Sequence, residues 1–277
     1  MPNLDSGGAG VRLTPALLRS IFPKAPATII DAFAEKQGVL SAVGVNQTRQ
    51  RLAYFFANIH HETAGFTIRG LIENINYTAS RMAQVWPNRF KNAAAVQAKY
   101  GTASGWQRKA FDDIYGNRMG NRPGTNDGST YIGRGGPQIT GRDGYEQISK
   151  RIGIDLVSAP DLASRHDLQP DICAAFWDWK GLNRFADNGD FRGCVKLWNG
   201  GTNGLADRQS QLARITKILQ GAEWGEIAAA PVKPPPKPVP DPAPPDPAPA
   251  SQSAPTPQAS VWAAFFLAII AIFRRAK

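Results

Sequence analysis

The 277-residue sequence predicts a mainly α-helical domain with long loops that line a cleft, then a proline-rich linker and an apolar C-terminal segment. Apolar residues recur at helical spacing as far as residue 220, whereas strand patterns are scarce. Two stretches rich in Gly, Asn and Asp, 116–136 and 199–204, are too polar for a core and too long for simple connections. Such loops usually carry binding or catalytic residues.

Two N-terminal segments, 13–37 and 46–64, are predicted to be helical. In the first, Thr14 precedes Pro15, which is typical of a capped helix start with proline in the first turn. The second carries an apolar stripe of Leu52, Phe55, Phe56 and Ile59. The same criterion predicts further helices at about 78–85, 92–99, 105–115, 143–151, 168–179 and 205–220.

The C-terminal part cannot bury a core. Thirteen prolines lie between Pro231 and Pro257, so we expect the domain to cover 1–228 and a disordered linker to cover 229–258. The segment 259–277 contains an apolar run of about 20 Å as a helix, against a hydrocarbon core of about 30 Å. We expect it to contact a membrane through 261–277, with Arg274, Arg275 and Lys277 at anionic head groups. Self-association or docking to a membrane partner is the alternative.

Composition restricts the partners. The formal net charge of +10 attracts polyanions, which include the acidic polymers of a cell envelope. No dense Lys/Arg run or basic-aromatic pattern indicates a nucleic-acid reader, so no nucleic acid is expected. Cys173 and Cys194 lack metal or redox spacing and are expected to be buried thiols. No metal, no cofactor and a monomer are expected. Residues 1–12 lack the pattern of a secretory signal, which indicates synthesis in the cytoplasm.

Two glutamates are the candidate catalytic groups. Glu62 shares a predicted helix face with Phe55 and Ile59, so its carboxyl should be partly desolvated, which raises a carboxylic pKa. Glu73 follows a short Gly-bearing turn, 63–70, that can bring it back across a cleft. One buried and one wetter carboxyl are the minimum for glycosidic hydrolysis. The alternative for Glu62 is a helix-end residue that pairs with Arg69.

Four sequence blocks make the interpretation specific. They are 61–63 (HET), 73–77 (ENINY), 131–141 (YIGRGGPQITG) and 198–201 (WNGG) followed by Arg208. Together they resemble the signature blocks of glycoside hydrolase family 19, and the phage lytic branch is the closer match. The resemblance implies a lysozyme-like, two-lobed, α-rich fold that hydrolyses β-1,4 bonds to N-acetylated sugars with inversion.

The resemblance also implies roles for single residues. Glu62 is similar in position to the general acid, Glu73 to the general base, and Thr140 to the residue that holds the attacking water. Arg208 matches an arginine near the base, where its permanent charge can keep a glutamate ionised. The expected substrate-contacting residues are His61, Tyr131, Gln138, Tyr145, Asn199 and Arg208.

General chemical properties explain why these residue types suit a site that binds sugars. Amides such as Gln138 and Asn199 both donate to and accept from sugar groups, and Tyr145 offers an apolar face with a hydroxyl. Gly133, Gly135 and Gly136 are expected to let the loop approach a bulky polymer. Trp177 and Trp179 are expected in the core and at its rim, and His60 as a helix histidine without a catalytic role.

Two departures from the family pattern stand out. Gly136 separates the G-R-G block from Pro137, and Gly144 stands where an asparagine commonly precedes the tyrosine.

The function predicted from these observations is that of a phage endolysin. It is made in the host cytoplasm and cuts the glycan strands of peptidoglycan in the periplasm. The alternatives are a chitinase and a non-catalytic, membrane-tethered protein that binds the cell envelope.

Overall fold

A computed structural model describes residues 8–229 of the chain. Within these residues the backbone forms thirteen α-helices, four short 3-10 helices and one two-stranded sheet, so the predicted α-rich fold is confirmed. The rest of the predicted linker, the segment 259–277 and the membrane contact through 261–277 lie outside the described residues and stay predictions.

The elements follow one another in this order. The α-helices are α1 (Pro15–Ile21), α2 (Ala27–Glu35), α3 (Gln37–Ala42), α4 (Arg49–Thr63), α5 (Ala79–Val85), α6 (Ala93–Tyr100), α7 (Trp106–Tyr115), α8 (Asp127–Thr130), α9 (Gly141–Ile152), α10 (Gln169–Trp179), α11 (Asn183–Asp187), α12 (Phe191–Asn199) and α13 (Leu205–Gln220). The 3-10 helices are Val45–Gln47, Arg69–Leu71, Pro160–Ser164 and His166–Leu168, and the strands are β1 (Ala9–Val11) and β2 (Trp224–Glu226).

Six of the predicted helices agree with the structure to within two residues at each end, namely α5, α6, α7, α9, α10 and α13. The prediction of one helix over 13–37 is wrong, because α1 ends at Ile21 and α2 begins only at Ala27. Pro23 and Pro26 lie in the gap, and proline cannot donate the backbone hydrogen bond that a helix interior needs. The loop predicted over 116–136 contains the four-residue helix α8.

Two separate apolar clusters give the domain its two lobes. The larger cluster surrounds α4 and includes residues of α10, α12 and α13, whereas the smaller one is built mainly from α5, α6 and α7. The chain passes between them just before Glu73, since Leu71 packs in the larger cluster and Ile75 in the smaller one. Glu73 therefore lies where the chain passes from the larger lobe to the smaller one, whereas Glu62 lies at the end of α4 in the larger lobe.

Helix α4 is the central element of the larger lobe. The Thr48 side chain caps its start by accepting from the Arg51 amide, and aromatic residues cover its sides. Trp177 is fully buried against Phe55, with ring centroids 5.6 Å apart, and Trp179 lies partly buried at the edge of the cluster. The expected core and rim positions of these two tryptophans are confirmed.

The sheet joins the two ends of the described chain. β1 pairs antiparallel with β2, so that Gly10 lies opposite Gly225. The predicted scarcity of strands is therefore confirmed for the described residues, and the two strands come from opposite ends of the domain. Both cysteines are buried and free, as expected. No helix within residues 8–229 combines the length and the apolar character needed to cross a membrane.

Candidate active site

Glu62 lies in the last turn of α4 and is 1% exposed. Phe55, two turns earlier, and Ile59, one turn earlier, are also fully buried. The three residues therefore share the core face predicted from their spacing. The helix ends here because Ala64 and Gly65 take left-handed conformations. Thr63 secures the end, since its hydroxyl donates to the Ile59 carbonyl and accepts from the Phe66 amide.

The partner of Glu62 is Arg208. The Arg208 Nη2 donates to Glu62 Oε1 in a short hydrogen bond, and both side chains are fully buried. Arg69, the alternative partner considered for Glu62, does not form this contact. Arg208 was expected near Glu73, but the carboxyl that it contacts directly is that of Glu62. The reason is that α13, which carries Arg208 in its first turn, packs along α4.

The pair leaves one carboxyl oxygen without a protein partner. Glu62 Oε2 is buried and accepts no hydrogen bond from the residues that the structure describes. A buried oxygen of this kind is costly unless a ligand or water satisfies it. Oε2 is therefore the carboxyl oxygen of Glu62 whose capacity to form a hydrogen bond the described residues leave unused.

Asn58 holds the other end of the Arg208 guanidinium. Arg208 Nη1 donates to Asn58 Oδ1 over 2.7 Å, and both residues are fully buried. The sequence interpretation missed Asn58. Its signal is the position four residues before Glu62, which puts both side chains on one helix face.

Glu73 is held by a short antiparallel pairing after the turn that follows α4. The chain reverses as predicted: Thr63 O accepts from the amides of Thr67 and Ile68, and Ile72 then bridges to Arg134. The Glu73 amide donates to the Gly133 carbonyl over 2.8 Å. The glycine-rich loop therefore fixes the backbone of the second glutamate.

The side chain of Glu73 is buried as well. It is 6% exposed, and its Oε2 accepts from the Gly133 amide over 3.1 Å. Burial raises the pKa of Glu73 to about 7, against opposing effects of the Gly133 hydrogen bond and the nearby Arg134 charge. Both glutamates are therefore removed from water, and Glu73, expected to be the wetter carboxyl, is only slightly more exposed than Glu62.

Thr140 lies beside Glu73. The two residues line one small pocket together with Tyr131, Tyr115 and Phe111. The Thr140 hydroxyl donates to the Gln138 carbonyl over 2.9 Å, which leaves its oxygen free to accept. A hydroxyl fixed in this way next to a carboxyl can orient a water molecule.

The glycines of the 131–141 loop allow close packing within the protein. A Cβ on Gly133 would lie 2.8 Å from Gln138 Oε1 and 3.4 Å from Glu73 Cβ. Gly135 likewise faces the Ala163 carbonyl, at 2.7 Å from a Cβ, and Gly136 faces the Cys173 thiol. The expected reason for these glycines, room for a polymer, is corrected: they let the loop approach its own neighbours.

Gln138 and Asn199 each keep a buried amide oxygen unpaired. Gln138 Nε2 donates to the Gly135 carbonyl over 2.9 Å, and Asn199 Nδ2 donates to the Asn203 carbonyl over 3.1 Å. The oxygens Gln138 Oε1 and Asn199 Oδ1 have no partner among residues 8–229. Both oxygens can therefore still accept a hydrogen bond, and the expected contact of these side chains with a sugar stays a prediction.

The two tyrosines occupy supporting positions. Tyr145 is 0% exposed; its hydroxyl donates to the Ile132 carbonyl over 2.7 Å and accepts from Arg134 Nη1 over 2.8 Å. The structure thus places Tyr145 behind the loop, in place of the expected contact with substrate. Tyr131 is nearly buried, and its hydroxyl lies 3.0 Å from Arg142 Nη1.

The two histidines before Glu62 have different surroundings. His61 Nδ1 lies 2.6 Å from Asp207 Oδ2, and its ring packs closely under Gly204, so it joins α4 to the 199–204 loop. His60 stacks on Phe22 with ring centroids 5.7 Å apart, and burial lowers its pKa to about 4. His60 therefore packs as a helix histidine, as expected, and its lack of a catalytic role stays a prediction.

Groups of three or more His, Cys, Asp or Glu side chains that could hold a metal ion are absent from the described part of the chain.

The sequence of this chain is similar to those of known proteins. A protein from Haemophilus influenzae described as a glycosyl hydrolase family 19 domain-containing protein is 32% identical over 200 residues, covering 71% of this chain and 92% of that protein. The acidic 27 kDa endochitinase of Solanum lycopersicum is 31% identical over 105 residues, covering 36% of this chain and 40% of that protein.

Two solved structures are also similar. Chitinase C from Streptomyces griseus HUT6037 has a TM-score of 0.48 at 18% identity, covering 78% of this chain and 96% of that one. A bacterial family 19 chitinase has a TM-score of 0.46 at 20% identity, covering 78% and 98%.

The family model described as chitinase class I matches residues 25–227, which include every candidate site residue. The chain therefore belongs to glycoside hydrolase family 19.

Proposed function

We propose that this glycoside hydrolase is an endolysin that hydrolyses the β-1,4 glycosidic bonds of bacterial peptidoglycan by an inverting acid-base mechanism. The observation that carries the proposal is the burial of two glutamates, Glu62 at the end of α4 and Glu73 where the chain passes between the two lobes. Each has one oxygen held by the protein, Glu62 by Arg208 and Glu73 by the Gly133 amide. Two carboxyls with different fixed partners can divide the acid and base roles between them.

In the proposed reaction Glu62 acts as the general acid. Its Oε2, which has no protein partner in the described residues, gives a proton to the glycosidic oxygen as the bond to the anomeric carbon breaks. Arg208 stabilises the carboxylate that remains, because its guanidinium donates directly to Oε1. The charge of Arg208 therefore stabilises the Glu62 carboxylate at the step that creates it.

Glu73 acts as the general base. A pKa of about 7 makes its carboxylate a stronger base than an ordinary glutamate, while about half of it is still ionised at neutral pH. The Thr140 hydroxyl accepts from the attacking water and orients it. The water oxygen bonds to the anomeric carbon on the face opposite the leaving group, and Glu73 takes its proton. The configuration inverts, Glu73 then releases its proton to solvent, and solvent returns a proton to Glu62.

Charge favours peptidoglycan as the substrate. Chitin is neutral, whereas the peptide stems of peptidoglycan carry carboxylates, and the chain has a net charge of +10. The small-lobe segment 74–120 contains seven Lys and Arg residues against two Asp residues. A basic lobe beside the cleft attracts an anionic polymer.

Chitin is the second candidate substrate. The family model is that of class I chitinases, and a tomato relative is described as an endochitinase. A chitinase needs the same two carboxyls, so the site alone serves both polymers. The charge of the small lobe is the feature that separates them.

The proposal includes synthesis in the host cytoplasm, action as a monomer on the wall in the periplasm, and membrane contact through 261–277. It is supported by the basic charge and by the apolar run that ends in Arg274, Arg275 and Lys277. The catalytic part of the proposal does not depend on the membrane contact, so hydrolysis measured in the absence of lipid would be compatible with it.

The test compares the two polymers. We expect the protein to release reducing ends from purified peptidoglycan, and to clear outer-membrane-permeabilised Gram-negative cells, faster than it releases them from colloidal chitin. Glu62→Gln, assayed in parallel, is the inactive control. A higher rate on chitin would contradict the endolysin assignment, and no activity on either polymer would contradict hydrolysis itself.

A further inference from the structure

Asn58 is fully buried, touches no solvent, and yet contacts the side chain that holds the proposed acid. It lies one helical turn before Glu62 on α4, so the two side chains point to the same face. Arg208 reaches both: Nη2 donates to Glu62 Oε1, and Nη1 donates to Asn58 Oδ1 over 2.7 Å. One guanidinium from α13 therefore binds two successive turns of α4.

The orientation of the Asn58 amide is fixed from its other side. Its Nδ2 donates to the Tyr54 carbonyl over 2.8 Å and lies 3.8 Å from Cys194 Sγ. The reversed amide would bring its own N–H groups against the guanidinium, which offers only donors. The oxygen must therefore face Arg208.

The neighbourhood of this amide contains few charges. Cys194, on α12, is the titratable group beside it, and burial raises the pKa of that thiol to about 12, so it stays neutral. Asp190 and Arg208 are the charged groups that act on Cys194, and Glu62 is the carboxyl paired with Arg208. Arg208 thus has a carboxylate on one side and a neutral acceptor on the other.

We propose that Asn58 is a positioning residue that anchors Arg208 through a neutral acceptor, so that the charge of the guanidinium acts undivided on Glu62. This inference rests on the proposed role of Glu62 as the acid. A carboxylate in place of the amide would share the guanidinium, and a second negative charge near Glu62 would make its proton harder to remove. Because the Asn58 amide is neutral, the full charge of Arg208 stabilises the carboxylate that forms when Glu62 gives up its proton.

The experiment measures kcat/KM of the full chain on purified peptidoglycan from pH 5 to 10. Asn58→Asp keeps the shape and the acceptor. We expect the high-pH limb, where kcat/KM falls as the acid loses its proton, to move to a pH about one unit higher. Asn58→Ala removes the acceptor, and we expect a 10- to 100-fold loss in kcat with KM unchanged, because the residue does not touch the substrate. A merely structural asparagine would lower the Tm of both variants without moving the limb.

Asn46→Asp is the matched control. Asn46 is also fully buried, and neither side-chain polar atom has a hydrogen-bond partner among the described residues. The same chemical change there should lower the Tm and leave the limb in place. Asn58→Ser, with a shorter neutral acceptor, covers the case in which Asn58→Asp does not fold: reduced kcat with an unmoved limb is expected.

The outcomes separate the two proposals. An inactive wild-type protein, equal to Glu62→Gln in the same assay, overturns the proposed function. An active wild type with an unshifted Asn58→Asp profile, an equal shift in Asn46→Asp, or a wild-type kcat in Asn58→Ala or Asn58→Ser overturns the role of Asn58 alone.

Discussion

Glu62 and Glu73 are both withdrawn from water, but the protein compensates their charges in different ways. Glu62 has a full positive charge in direct contact, whereas Glu73 has one backbone amide and the more distant Arg134. Burial makes the ionised form of Glu73 costly, which raises its pKa to about 7. A raised pKa suits a base that has to take a proton from water.

The pH dependence of stability follows from Glu73. Its pKa is raised from 4.5 to about 7, so its contribution to stability is fully present below pH 4.5 and is lost as the pH rises through about 7. Glu73→Gln stays neutral at every pH. We expect it to be as stable as the wild type at pH 4.5 and more stable by on the order of 3 kcal/mol at pH 9.

Thermal unfolding of both proteins at several pH values measures this difference. Other titrating groups are common to the two proteins and cancel. A gap in Tm that stays constant from pH 4.5 to pH 9 would contradict the raised pKa of Glu73.

Glu62 and Arg208 show which features the sequence could predict and which it could not. The spacing of Phe55, Ile59 and Glu62 predicted a buried carboxyl, because helix geometry alone decides which face they share. The partner of Arg208 could not be predicted in this way. It depends on how α13 packs on α4, nearly 150 positions apart, and only the tertiary structure contains that information.

The loop of residues 131–141 illustrates the same limit for a larger unit. Its glycines were recognisable as special, but their purpose was inferred wrongly. The structure shows Gly133 pressed between Glu73 and Gln138, a contact between segments that the sequence does not place side by side. The helices α5 to α7 were predictable because their apolar periodicity and their Thr78 and Asn92 caps are local signals.

Gly133→Ala tests the packing of this loop. The added Cβ would lie 2.8 Å from Gln138 Oε1 and 3.4 Å from Glu73 Cβ, so the Gln138 amide has to move and the Glu73 side chain is crowded. We expect kcat to fall by at least tenfold, because small displacements of a catalytic group are costly. The change is measured as the rate of reducing-end release.

Gly144→Ala is the control for that substitution. Gly144 lies in α9 close to the same loop, and a Cβ there meets no atom within 4 Å. It should keep the wild-type rate and gain about 0.5–1 kcal/mol of stability, as expected for a helical glycine replaced by alanine. Equal rates for Gly133→Ala and Gly144→Ala would show that close packing at Gly133 does not position Glu73.

The whole chain combines a two-lobed domain with a long C-terminal extension. The two apolar clusters meet at the segment that carries Glu73, so the lobes and the proposed chemistry share one connection. The two-lobed fold was predictable only through the resemblance of four sequence blocks to a family. Helical periodicity does not show how thirteen helices divide into lobes.

Removal of residues 259–277 tests the proposed membrane contact. We expect the shortened protein to hydrolyse purified walls at the wild-type rate, because every site residue lies within the matched family region 25–227. Its partition into anionic lipid vesicles should fall, since the apolar run and Arg274, Arg275 and Lys277 are lost. Equal partition of the two proteins, measured by co-sedimentation, would contradict the anchor.

The most direct measurement is the rate of reducing-end release from purified peptidoglycan by the wild type, Glu62→Gln and Glu73→Gln. Thermal unfolding of each protein first confirms that it is folded. The account predicts an active wild type and a loss of about 10²- to 10⁴-fold in both variants, the usual contribution of an acid or base. A folded Glu62→Gln or Glu73→Gln protein that works at the wild-type rate would contradict it.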